Sequence, residues 1–167
     1  RGEPVVKEFQ DEFFVRYGLL LDSFAAGVDE ARFEAAVSAA ASIATAERSP
    51  EALLDLLFVG DRAYCFTAGR GLGQTEQLLE ILACVTPRHD QPFAPWLGLV
   101  ADHAAELSAC VCILLDWDEQ RRQLLNLLRG QGVETVALVI GPPSTPPEPG
   151  IRVATVETLA LELAKLR

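Results

Sequence analysis

Three acids and one threonine are the residues from which this chain could build a metal or phosphoryl site. Asp22 follows the apolar run Leu19-Leu20-Leu21, and Asp116 and Asp118 follow Ile113-Leu114-Leu115. Thr75 ends the glycine-rich stretch Gly69-Arg70-Gly71-Leu72-Gly73-Gln74 and heads a helix-like segment. Hard divalent cations take oxygen ligands from carboxylates and hydroxyls, and Mg²⁺ demands near-octahedral geometry. Aspartate, threonine and aspartate brought together from three loops would suit it. An acid at the carboxyl end of a buried parallel strand also sits at the crest where open α/β sheets place ligands. Asp22, Thr75 and Asp116 are therefore the candidate Mg²⁺ ligands. With a metal they would support cation binding or phosphoryl transfer.

Other arrangements offer less. Asp116-Trp117-Asp118 matches the Asp-x-Asp of haloacid-dehalogenase-type phosphotransferases, whose first carboxylate is a nucleophile. That motif should follow the first strand and carry Thr or Val two positions on, where this chain has Gln120. Gly69-x-Gly71-x-Gly73 lacks the Gly-x-Gly-x-x-Gly spacing of a dinucleotide loop; a tight loop with positive φ angles is the expectation there. Cys65, Cys84, Cys110 and Cys112 form no zinc pattern and are expected as buried free thiols in a reducing compartment. His89 and His103 have no partner placed by sequence.

These residues must be positioned by one domain of 167 residues, long enough to bury about 68–70% of its unfolded surface. Half the residues are apolar and 23% are charged, a globular profile. With 14 basic and 24 acidic residues the net charge is −10, which repels phosphate backbones and anionic membrane surfaces. No window of about 18–20 apolar residues exists to span a bilayer. The chain starts at Arg1 and holds no methionine, so the expectation is a piece of a longer protein.

Continuous apolar runs read as buried parallel strands. They fall at Phe13–Asp22, Ala109–Leu115 and Val133–Ile140, with a shorter one at Ile151–Val156 and a possible edge strand at Val5–Phe9. Leu53–Val59 and Ala63–Ala68 are split by Gly60-Asp61-Arg62, a turn short enough only for an antiparallel edge hairpin. Helices are expected over Glu30–Ala46 behind an Asp29 cap, Glu76–Ala83, Pro95–Leu107, Glu119–Arg129 and Glu157–Leu166. Five prolines make Pro142–Pro149 a stiff exposed loop. The fold class is α/β: a doubly wound, mainly parallel sheet with one antiparallel edge hairpin and helices on both faces.

Strand-Asp at Asp22, a hairpin, a Gly-rich loop ending in Thr75 and strand-Asp at Asp116 together resemble the von Willebrand factor A-like fold and its metal-ion-dependent adhesion site. More narrowly, Val5-Val6-Lys7-Glu8-Phe9, Leu56-Leu57-Phe58-Val59-Gly60-Asp61 and Leu114-Leu115-Asp116 resemble the bacterial domain-of-unknown-function family numbered fifty-eight. In that fold the first loop reads Asp-x-Ser-x-Ser and both serines ligate the cation. Here Phe24 and Ala26 stand in their places and offer no side-chain oxygen. The resemblance thus implies a degenerate site in which Asp22, Thr75 and Asp116 survive, with Asp22 alternatively capping its own loop.

It further implies a non-enzymatic protein-interaction module on the cytoplasmic side of a protein with membrane segments upstream. A MoxR-type AAA+ ATPase is the implied partner. Phe24, Trp117 and Asp118 are the candidate protein-contact residues, because an exposed aromatic amid acids is a common anchor. Inward packing of Phe24 and Trp117 is the alternative. A Mg²⁺-dependent enzyme at the Asp22/Thr75/Asp116 crest is the competing function.

Overall fold

The computed structural model describes residues 15–46, 52–69 and 71–165. Val5–Phe9 and the first two residues of the expected strand at Phe13 lie outside them. The elements in chain order are β1 (Val15–Leu21), α1 (Glu30–Ala44), β2 (Ala52–Val59), β3 (Ala63–Ala68), α2 (Leu72–Ala83) and α3 (Ala94–Ala104). They continue with β4 (Ala109–Leu114), α4 (Glu119–Gly130), β5 (Glu134–Ile140), β6 (Ile151–Ala154) and α5 (Leu159–Ala164). One six-stranded sheet runs β3-β2-β1-β4-β5-β6, parallel throughout except for the β2–β3 hairpin.

The apolar runs are continuous because each strand feeds two cores. Leu19 and Leu21 of β1, Ile113 and Leu115, and Leu138 and Ile140 of β5 face one side, against α1, α2 and α5. Leu20, Cys112, Leu114, Ala137 and Val139 face the other, against α3 and α4. α1 lies close to the sheet on alanines, with Ala36, Ala39 and Ala40 fully buried. Asp29 caps it by accepting from the Arg32 N–H, which satisfies one of the free amides of the first turn. α4 is capped in the same way by Asp118, which accepts from the Arg121 N–H.

Three expectations need correcting. α2 begins at Leu72 behind Gly71, so Gly73 and Thr75 belong to its first turn and not to a loop. Among the described residues the positive-φ glycines are Gly27, Gly132, Gly141 and Gly150, so Gly71 and Gly73 are not there for left-handed backbone. The thiols are free, but Cys84 is exposed and Cys65 half-buried, leaving Cys110 and Cys112 as the buried pair. Burial pushes the Cys65 thiol up to about 11. Among the described residues no helix is long and apolar enough to cross a membrane.

Because β1 lies between β2 and β4, the chain leaves it in one direction for β2 and returns on its other side as β4. The carboxyl ends of β1 and β4 form the switch point where doubly wound sheets open a crevice. Within β1, Gly18 stands opposite Cys110 of β4 and leaves room for side chains beside it. A Cβ at that position would come 2.8 Å from both Cys110 Sγ and Leu107 Cδ1. Gly18→Val should therefore lower unfolding stability by about 1–3 kcal/mol, the usual cost of overpacking. Urea unfolding checks this, and an unchanged midpoint would contradict it.

Candidate functional site

Asp22 lies just past the end of β1 and is fully buried. Its backbone N–H donates to Ile113 O at 2.9 Å, which stitches it to β4. Its Oδ1 accepts from the Phe24 N–H at 2.9 Å. Its Oδ2 accepts from the Leu115 N–H at 3.0 Å and from Arg121 Nε at 2.9 Å. Neither oxygen faces solvent.

Arg121 rises from the first turn of α4 and is 6% exposed. Besides Asp22, it donates from Nη1 to Asp118 Oδ2 at 2.5 Å and from Nη2 to Phe24 O at 3.1 Å. Its guanidinium carbon lies 5.1 Å from the centre of the Phe93 ring. The guanidinium therefore joins the loop after β1 to the loop after β4. Burial pushes the Asp22 carboxyl up from its ordinary value, while Arg121 and the Leu115 and Phe24 amides pull it back. Burial likewise opposes the charge on Arg121, and Asp22 and Asp118 hold its pKa above the ordinary value. The Arg121 guanidinium, which cannot shed its proton, favours the ionised form of Asp22 against that burial.

Asp116 is engaged elsewhere. Oδ1 accepts from the Trp117 N–H at 2.7 Å and the Ser144 N–H at 2.6 Å, and Oδ2 from Ser144 Oγ at 2.5 Å. Burial raises its carboxyl, but the Ser144 and Trp117 donors outweigh this and hold it below the ordinary carboxylate value. Thr145 continues the attachment, donating from N at 3.1 Å and from Oγ1 at 2.8 Å to Trp117 O. The proline-rich segment is thus pinned at its start to the loop after β4.

Thr75 does not join these acids. β3 runs antiparallel to β2 and ends with Ala68 opposite Leu54, which itself pairs with Tyr17 of β1. The five steps from Tyr17 to Asp22, at about 3.3 Å each, put roughly 16 Å between that level and the crest. The end of β3 and the start of α2 therefore sit near the amino ends of the parallel strands. The expected convergence of Asp22, Thr75 and Asp116 fails because the hairpin reverses the chain once before α2. What faces Asp22 instead is the segment after α2. Arg88 N donates to Ser23 O at 2.7 Å, and Ala25 N to Arg88 O at 2.8 Å. His89 Nδ1 lies 3.2 Å from Ala25 O.

Phe24 and Trp117 also differ from the exposed-anchor expectation. They are 8% and 2% exposed, and Phe24 packs on Phe93 with centroids 4.9 Å apart and on Trp96 at 5.7 Å. The rings fill the core under the crest because both cap the apolar side that α3 and α4 cover. Asp118 remains half-buried at the rim. A cavity of about 300 Å³ opens above it, lined by Phe24, Arg88, His89, Phe93, Asp116 and Arg121 among others.

As a metal site this constellation does not fit. Both oxygens of Asp22 and of Asp116 already accept from the chain's own donors, and Phe24 and Ala26 add none. Among the described residues no three His, Cys, Asp or Glu side chains are grouped to hold an ion. Arg121 was absent from the expected site. Its signal was its place on the stripe of Leu124, Leu125 and Leu128, the buried face of α4, where a charge needs a buried partner.

No protein-family model matches the chain. No curated protein matches it either. Solved structures do. A von Willebrand factor type A protein from Catenulispora acidiphila is 13% identical with a TM-score of 0.65, over 92% of this chain and 42% of that one. Manganese-loaded Plasmodium vivax TRAP protein is 14% identical with a TM-score of 0.61, over 93% and 73%. The SpRpn10 VWA domain is 14% identical with a TM-score of 0.59, over 93% and 96%. The chain thus spans less than half of the first and nearly all of the last. Identities this low speak for the fold alone, and the six-stranded order, the edge hairpin and these neighbours agree on it: the chain has a von Willebrand factor A-like fold.

Proposed function

We propose that the chain is a non-enzymatic protein-interaction module whose crest is a degenerate metal-ion-dependent adhesion site. The observation that carries this reading is the internal use of the crest carboxylates. Asp22 is spent on Arg121 and two amides, and Asp116 on Ser144 and Trp117. No free general base or nucleophile is left on them for phosphoryl transfer. A Mg²⁺-dependent enzyme at the same crest is the competing reading.

The partner in this proposal is a MoxR-type AAA+ ATPase, and the full-length protein is anchored in a membrane with this domain on the cytoplasmic face. Both rest on the resemblance of Val5–Phe9, Leu56–Asp61 and Leu114–Asp116. With Phe24 and Trp117 turned inward, the contact falls to the polar rim of the cavity, where His89, Gln91 and Gln120 are exposed beside half-buried Asp118.

Two outcomes follow. Asp22→Ala strands Arg121, so stability should fall by about 3–5 kcal/mol, the cost of breaking a buried pair from one side. Urea unfolding in EDTA measures it, and a loss below about 1 kcal/mol would show that the pair is not holding the crest. Calorimetric titration of a purified MoxR-type ATPase into the chain should give binding that persists in EDTA. The double variant His89→Glu/Gln120→Lys should weaken it about tenfold, the factor that roughly 1.4 kcal/mol gives. Absence of binding, or binding that requires Mg²⁺, would refute the proposal.

A further inference from the structure

At the crest the Asp22 and Asp118 carboxylates close on one buried guanidinium, that of Arg121. We infer that the Arg121 guanidinium is the resident cation of this site, performing permanently the bridging that a divalent ion would perform when bound. The inference rests on the degenerate-site reading and goes beyond it: the site is refilled, not merely emptied, and Arg121 is its positioning residue.

Four observations converge on this. The guanidinium contacts carboxylates from both loops of the switch point, Asp22 at 2.9 Å and Asp118 at 2.5 Å. Its third contact, Phe24 O at 3.1 Å, is a backbone oxygen of the same loop. The position where a serine hydroxyl would have helped hold an ion carries the Phe24 ring, and that ring packs on Phe93, over which the guanidinium lies. Finally, Arg121 stands on the buried stripe of α4, so the helix delivers it inward rather than to solvent.

The chemistry suits the exchange. A guanidinium presents five N–H donors in a planar fork, so one group can satisfy two carboxylates and a carbonyl at once. Unlike a metal it cannot dissociate, and unlike a lysine it does not deprotonate when buried. The crest is therefore closed at every divalent-cation concentration, and whatever docks on it meets the same geometry with or without metal.

The substitution Arg121→Ala vacates the position and leaves Asp22 and Asp118 without their cation. Millimolar guanidinium chloride, matched for ionic strength with NaCl, should raise the Tm of Arg121→Ala by about 2–4 °C and leave the unsubstituted chain unmoved. Arg121→Lys, with one compact charge in place of the fork, should recover only part of the lost stability. Guanidinium acting equally on both proteins, or on neither, would overturn the inference. If Arg121→Ala does not fold, the unsubstituted chain decides by NMR. The Arg121 Nε–H resonance should be protected from solvent exchange and unshifted by Mg²⁺, and a Mg²⁺-dependent loss of protection would overturn it. All of this is read on the isolated chain, so its failure is distinct from a failure to bind the ATPase.

Discussion

A buried ion pair sets the geometry of this crest. Taking a carboxylate and a guanidinium out of water costs several kcal/mol per ion, and their mutual attraction offsets this only if the remaining donors and acceptors are also met. Asp22 and Arg121 meet that condition. The carboxylate receives three N–H groups, and the guanidinium reaches two carboxylates and a carbonyl. The loop after β1, the end of β4 and the first turn of α4 are consequently fixed to one another at a single point. Packing depends on it as well, since Phe24 and Phe93 lie directly beneath. The pair is better read as a device for specifying this arrangement than as a source of net stability, because an apolar replacement of equal shape could stabilise as much.

A second arginine completes the same surface. Arg32 of α1 donates to the carbonyls of Ile140 and Leu115, and to Pro142 O at 3.1 Å, closing the ends of β4 and β5. Gly141, with φ at 85°, leaves the space that the Arg32 side chain fills. Asp116 holds Ser144 from the other side. The crest thus ends in internal arginine and serine contacts.

Much of the architecture was legible because it rests on local patterns. Continuous apolar runs gave the buried strands, the three-residue turn at Gly60–Arg62 gave the antiparallel edge, and Asp29 marked the start of α1. The site was harder. Asp22 was legible as a strand-end acid. Thr75 was misplaced because its end of the sheet is decided by the direction of β3, a pairing across the sheet that its neighbours in sequence do not encode. Arg121 was missed because an arginine in a charged amphipathic helix reads as solvated until its partner, 99 residues away, is known. Phe24 and Trp117 turned inward for a related reason: a ring beside acids is exposed only if no helix covers it, and α3 and α4 do.

The claim on which everything else turns is that the crest already holds its cation. Calorimetric titration of Mg²⁺ into the EDTA-treated chain tests it most directly. An arginine-filled crest predicts heats of dilution and nothing more. A saturable one-site heat that Asp22→Ala abolishes would contradict it and return Asp22 to the role of a metal ligand.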